Sequence, residues 1–113
     1  MSRWSSRSDI LWSAMPVLEQ IPGREQIELV LRKLEPDVAR IVLSAAPDWS
    51  GDPALYIRVL ISDEAGKARL NEVTARARSV IAEELGLENL DRIPYFMFRG
   101  VSEQAKLQEK AWE

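Results

Sequence analysis

The densest grouping of chemically capable side chains is the run Ala46-Pro47-Asp48-Trp49-Ser50-Gly51-Asp52-Pro53. Asp48, Ser50 and Asp52 occupy the first three ligand positions of a calcium loop, D-x-S-x-D, in which alternate side chains turn oxygen ligands towards one ion. The sixth position of such a loop needs glycine and holds Pro53, and the twelfth needs a bidentate acid and holds Val59. As a turn, the run accounts for nearly every residue. Pro47 and Pro53 punctuate strand ends, Asp48 and Ser50 can accept from nearby backbone N–H groups, and Gly51 supplies a positive φ. Trp49 is the exception. A large aromatic at a loop tip is either a lid over the edge of the core or an exposed anchor for a partner. Tryptophans of small domains are mostly buried, so the expectation is the lid, with the anchor as the alternative.

Other chemistry is excluded by composition. The 113 residues include no cysteine and no histidine. Disulfides, thiolate and imidazole metal sites, cysteine nucleophiles, Ser-His-Asp triads and histidine bases therefore fall away. The five glycines are not at phosphate-loop or dinucleotide spacing. Carboxylate pairs exist, but none in a recognisable catalytic context. The expectation is a non-catalytic protein with no cofactor and no metal. A formal net charge of −3 argues against avid non-specific nucleic-acid binding. No apolar run approaches the ~20 residues that cross a bilayer, and MSRWSSRSD has no apolar stretch of a secretory signal, so no membrane contact and a cytoplasmic location are expected.

Two sets of binding residues remain. Lys67, Arg69, Arg76 and Arg78 make the first half of a helical segment basic, opposed only by Glu72. They are the candidates for nucleic-acid contact, or else solvated side chains that cover the rim of the core. The candidates for protein contact are Trp49, Tyr95, Arg99 and Trp112. Tyr95 shares a strand face with Arg99, as Tyr56 does with Arg58, and such Tyr/Arg pairs serve both RNA stacking and protein hot spots. Trp112, with Leu107, either clamps the C-terminal segment to the body or docks it on another chain; Trp4 and Trp12 add to that second option.

These residues must be positioned by a short series of elements. Residues 1–8 read as a flexible tail, 9–100 as one domain and 101–113 as a charged C-terminal tail, with one more helical piece expected to end near Trp112. Ile10, Leu11, Met15 and Leu18 form a partly helical stripe limited by Pro16. Ile27, Val30, Leu31 and Leu34 follow at i, i+3, i+4 and i+7, a helix ended by Glu35-Pro36. VARIVLSA, residues 38–45, alternates with Ala39, Ile41, Leu43 and Ala45 on one side and Val38 on the other. ALYIRVLIS, residues 54–62, has the clearest period of two. Asp63 reads as the N-cap of a helix whose stripe is Leu70, Val73, Ala77, Val80 or Ile81, and Leu85, closed by Gly86. IPYFMFRG, residues 93–100, is a third strand. The order α-β-β-α-β predicts an α+β two-layer sandwich: a three-stranded mixed sheet with two main helices on one face.

That order resembles the type II KH arrangement, in particular the ribosome-binding factor A family. VLSAAPDWSGDPALYIRVLISDE is similar to that family's first hairpin, and ARSVIAEELGLENLDRIPYFMF to its long helix, short link and proline-opened last strand. The resemblance implies an RNA-contacting surface centred on the long helix. The family's small-x-glycine kink has its nearest counterpart in Ala75-Arg76-Ala77, which lacks the glycine, and the chain has no GXXG loop. The leading expectation is a small binding or adaptor protein, regulatory or antitoxin-like, contacting a protein partner or a second copy of itself. RNA or ribosome contact is the alternative.

Overall fold

The computed structural model describes residues 22–113; the expected tail at 1–8, the stripe of 9–18, Trp4 and Trp12 lie outside the described residues. Helix α1 spans Arg24–Leu34 and buries Val30 and Leu34. Glu25 in its first turn and Arg32 and Lys33 in its last suit the helix dipole. Glu35 leaves the helix in an extended conformation, as a residue before proline must.

Strand β1, Val38–Pro47, pairs antiparallel with β2, Pro53–Ile61. The strands run further than the sequence suggests, because Pro47 and Pro53 are themselves paired; the connection shrinks to Asp48–Asp52. One expectation of alternation fails at the other end. A register shift between Val38 and Arg40 leaves Ala39 unmatched. That bulge turns Val38 onto the same side as Ile41, and both are buried.

Two helices replace the single expected one: α2, Asp63–Ala68, and α3, Leu70–Glu84. Arg69 between them has φ −144° and ψ 41°, outside the helical region. No proline marks the break; Arg69 is held instead by a pair of hydrogen bonds to Asp37. The N-cap is Ser62 rather than Asp63, because the Ser62 hydroxyl reaches the Ala65 N–H at 3.2 Å. Asp63 is then free to accept from the Ser102 backbone N–H at 3.0 Å and from the Ser102 hydroxyl. That links the start of α2 to helix α4, Val101–Leu107.

Strand β3, Ile93–Gly100, lies parallel to β2, which gives the mixed sheet the order β1-β2-β3. Leu55, Ile57, Val59 and Ile61 of β2 face Val30 and Leu34 of α1 and Val73, Ala77 and Ile81 of α3, all in one buried cluster. Of the helical stripe, Ile81 rather than Val80 is fully buried, and Leu70 is left half-exposed because α3 begins there. The α+β sandwich is thus as the pattern predicts. On the opposite sheet face, α4 and a 3-10 turn at Lys110–Trp112 cover only one end.

Candidate functional site

The hairpin loop is organised around one carboxylate. Asp48 Oδ1 accepts from the Ser50 N–H (2.9 Å), the Ser50 hydroxyl (2.7 Å) and the Asp52 N–H (3.0 Å). Its other oxygen accepts from the Tyr95 hydroxyl at 2.9 Å. Backbone bonds from Asp48 N–H to the Asp52 carbonyl (2.8 Å) and from Gly51 N–H to the Asp48 carbonyl (2.9 Å) close the turn. Gly51, at φ 90°, adopts the conformation that an L side chain resists. Above all the Ser50 hydroxyl, then the Tyr95 hydroxyl and the two backbone donors, hold the Asp48 carboxyl below its ordinary value, while burial works the other way. Donation to Asp48 pushes the Tyr95 hydroxyl up in return.

This construction turns Asp48 inward, at 8% exposure, and its neighbour outward: Trp49 is 92% exposed. The expected lid is therefore overturned. The loop is held by its own hydrogen bonds and does not need the indole for packing.

The parallel register sets Tyr56 beside Tyr95, Arg58 beside Met97 and Leu60 beside Arg99. The two Tyr/Arg pairs thereby share one sheet face, the one turned away from α1 and α3. The tyrosine rings stack, with centroids 5.5 Å apart and planes at 19°. Arg58 lies over the Tyr56 ring at 5.5 Å and donates to the Ser44 hydroxyl at 2.8 Å. At the far end of this face Arg99 lies 4.3 Å from the Trp112 ring centroid and donates to Gln104 (2.8 Å), with Glu109 at 2.6 Å. Trp112 is buried, so it clamps the C-terminal segment to the sheet. The four residues expected in protein contacts thus divide into two pairs: Trp49 and Tyr95 joined through Asp48, and Arg99 packed on Trp112. Roughly 13 Å of strand separates Tyr95 from Arg99.

The basic residues are spread further. Arg69 bonds both oxygens of Asp37 (2.8 and 3.2 Å), which holds the Asp37 carboxyl low and the Arg69 guanidinium high. Arg76 donates to the Lys33 carbonyl at 3.0 Å, at the end of α1. Arg78 lies on the other flank of α3, over Phe96 and Phe98 at 5.9 and 5.3 Å. Lys67 lies in the last turn of α2, exposed.

Sequence reasoning missed Arg92. Its Nη1 donates to the Ala54 carbonyl at 3.1 Å, and its Nε is buried without a partner. It lines a cleft of about 300 Å³ with Ala45, Ala46, Pro47, Gly51 and Pro53, beside the Trp49 loop. Only the parallel pairing of β2 and β3 brings it there, and no local pattern signals that. Among the described residues no cluster of three or more acidic side chains could hold a metal ion, and no helix is long and apolar enough to cross a membrane. Comparison with protein-family models, curated proteins and solved structures found no match.

Proposed function

We propose that the chain is a non-catalytic, cytoplasmic binding module that engages a protein partner through the Trp49 loop, in an adaptor or regulatory role of the antitoxin type. The observation that carries this reading is a tryptophan 92% exposed on a turn already fixed by hydrogen bonds. An interface residue held in its bound geometry loses little freedom on association, and tryptophan is the side chain most enriched among binding hot spots. Tyr95 belongs to the same surface, since its hydroxyl braces Asp48.

The test is quantitative capture from the native host's lysate with the wild-type chain and with Trp49→Ala, each with and without ribonuclease. A partner that survives the nuclease and is lost with Trp49→Ala is the expected result; truncating a central hot-spot tryptophan costs about 2–4 kcal/mol of binding. An unchanged set of captured proteins would refute the reading.

A second reading, RNA or ribosome contact in the manner of the KH-like resemblance, draws on the stacked Tyr56–Tyr95 pair beside Arg58. It takes second place because Arg69 and Arg76 are tied to Asp37 and Lys33 and Arg78 lies on phenylalanine rings. Loss of the captured set on ribonuclease treatment, with binding that falls steeply in salt, would favour it.

A further inference from the structure

We propose that two copies of this chain associate through the outer edge of β1 and the adjoining flank of α1, joining two three-stranded sheets into one of six strands. Among the described residues, β1 is paired on one side only, by β2. It spans ten residues, Val38–Pro47, with one charge, Arg40, and no proline before its last position. Charges, prolines, bulges and covering segments are the devices that keep strand edges from pairing, and in β1 the Ala39 bulge and Arg40 fall in the first three residues, which leaves Ile41–Ala46 open. Edge strand β3 likewise carries one proline and one arginine, Pro94 and Arg99, but it is shorter, at eight residues, its proline lies at its second position, and Arg78 of α3 lies over its phenylalanines.

A twofold axis perpendicular to the sheet would pair β1 antiparallel with its copy. Centred on Leu43, the pairing sets Arg40 against Ala46 of the second copy, so like charges do not meet. The same axis brings α1 alongside its copy, also antiparallel. Lys33 and the Lys33 carbonyl mark the side of α1 that meets α3. At 100° per residue the opposite flank carries Arg24, Glu28, Leu31, Arg32 and Glu35. An antiparallel mate sets Arg24 against Glu35 and Glu28 against Arg32, so the row is complementary to itself. None of these four charged side chains forms an ion pair among the described residues. An isologous contact needs a self-complementary surface of this kind, and an edge strand supplies the backbone partners. Each end of the joined sheet would carry one Trp49 loop.

The inference does not require the Trp49 reading, and the experiment separates the two. Sedimentation velocity over a concentration series is expected to give a dimer of the 12.9 kDa chain. Glu28→Arg sets like charges against each other twice across the axis and should raise the dissociation constant about tenfold or more. Combining Glu28→Arg with Arg32→Glu restores opposite charges and should restore the dimer. These are exposed helix positions, so folding, followed by circular dichroism, should be kept. A monomer at every concentration would overturn the proposal, as would a dimer indifferent to Glu28→Arg or one that the double variant fails to restore. The Glu28 and Arg32 variants lie away from the Trp49 loop and read the dimer by sedimentation, whereas Trp49→Ala reads partner capture, so either hypothesis can fail while the other stands.

Discussion

Trp112→Ala tests whether the C-terminal segment belongs to the folded unit or merely lies on it. The indole is 6% exposed and packs on the Arg99 guanidinium at 4.3 Å. A tryptophan buries roughly 150–250 Å², which at about 25 cal/mol per Å² is worth some 4–6 kcal/mol as an upper bound. The cation–π contact adds about 1 kcal/mol. The full sum should not be lost. The segment is otherwise held by polar bonds, of Ser102 to Asp63, of Arg99 to Gln104 and Glu109, of Gln104 to the Glu109 carbonyl and of Arg40 to the Glu113 carbonyl, so it can undock as a unit while the main core persists. The expected cost is therefore about 2–3 kcal/mol, below the 3–5 kcal/mol of a tryptophan in a central core. At roughly 4 °C per kcal/mol for a domain of this size, Tm should fall by about 10 °C. Thermal and urea unfolding followed by far-UV circular dichroism measure the loss, and hydrogen exchange locates it. Residues 101–113 should lose protection first, while Ile57 and Ile81 keep theirs. A Tm within 2 °C of wild type would refute the clamp, taking roughly 4 °C per kcal/mol as the scale.

Two further outcomes follow from the packing and the loop. Ile81→Ala, at a fully buried position of α3, should cost about 2–5 kcal/mol in urea unfolding, and a loss under 1 kcal/mol would mean that α3 does not pack on the sheet as described. Asp48 is held below the ordinary carboxyl value of 3.8, so its contribution to stability is fully present above that value and is lost as pH falls through the lower folded one. Tyr95→Phe removes one donor and should raise the Asp48 titration, followed by carboxyl-carbon NMR; an unshifted curve would sink the assigned bond.

Much of the framework is legible because it follows from periodicity. The stripe Ile27, Val30, Leu31 and Leu34 makes α1, and alternation along Leu55, Ile57, Val59 and Ile61 makes the central strand. What periodicity misses has a physical cause in each case. Val38 follows the pattern of an outward residue, and only the extra residue Ala39 turns it inward; a bulge has no necessary residue type. The break at Arg69 depends on Asp37, 32 residues away. The bond between Tyr95 and Asp48 spans 47 residues. Trp49 was expected inside because tryptophans usually are, yet burial is decided by which neighbour the turn points inward, and here that is Asp48.

The arginines around α3 carry this point to function. Charge along a helix says where a field could be strong, but a guanidinium already bonded offers fewer of its donors to a phosphate. Arg69 spends its fork on Asp37, and Arg76 one nitrogen on the end of α1. The two hold α3 against the residues that precede β1. Arg78 covers the two phenylalanines of β3 that α3 leaves half-buried. A basic row that reads as a nucleic-acid surface is then also a set of tethers, one flank to α1 and the other to β3. Trp49 is the reverse case: among the described residues its ring stands 92% exposed, on a turn held by its own hydrogen bonds. A large apolar side chain held in water by a rigid turn is stabilised by burial only when a second molecule covers it, which is why the loop, rather than the basic helix, is the surface on which the proposed function rests.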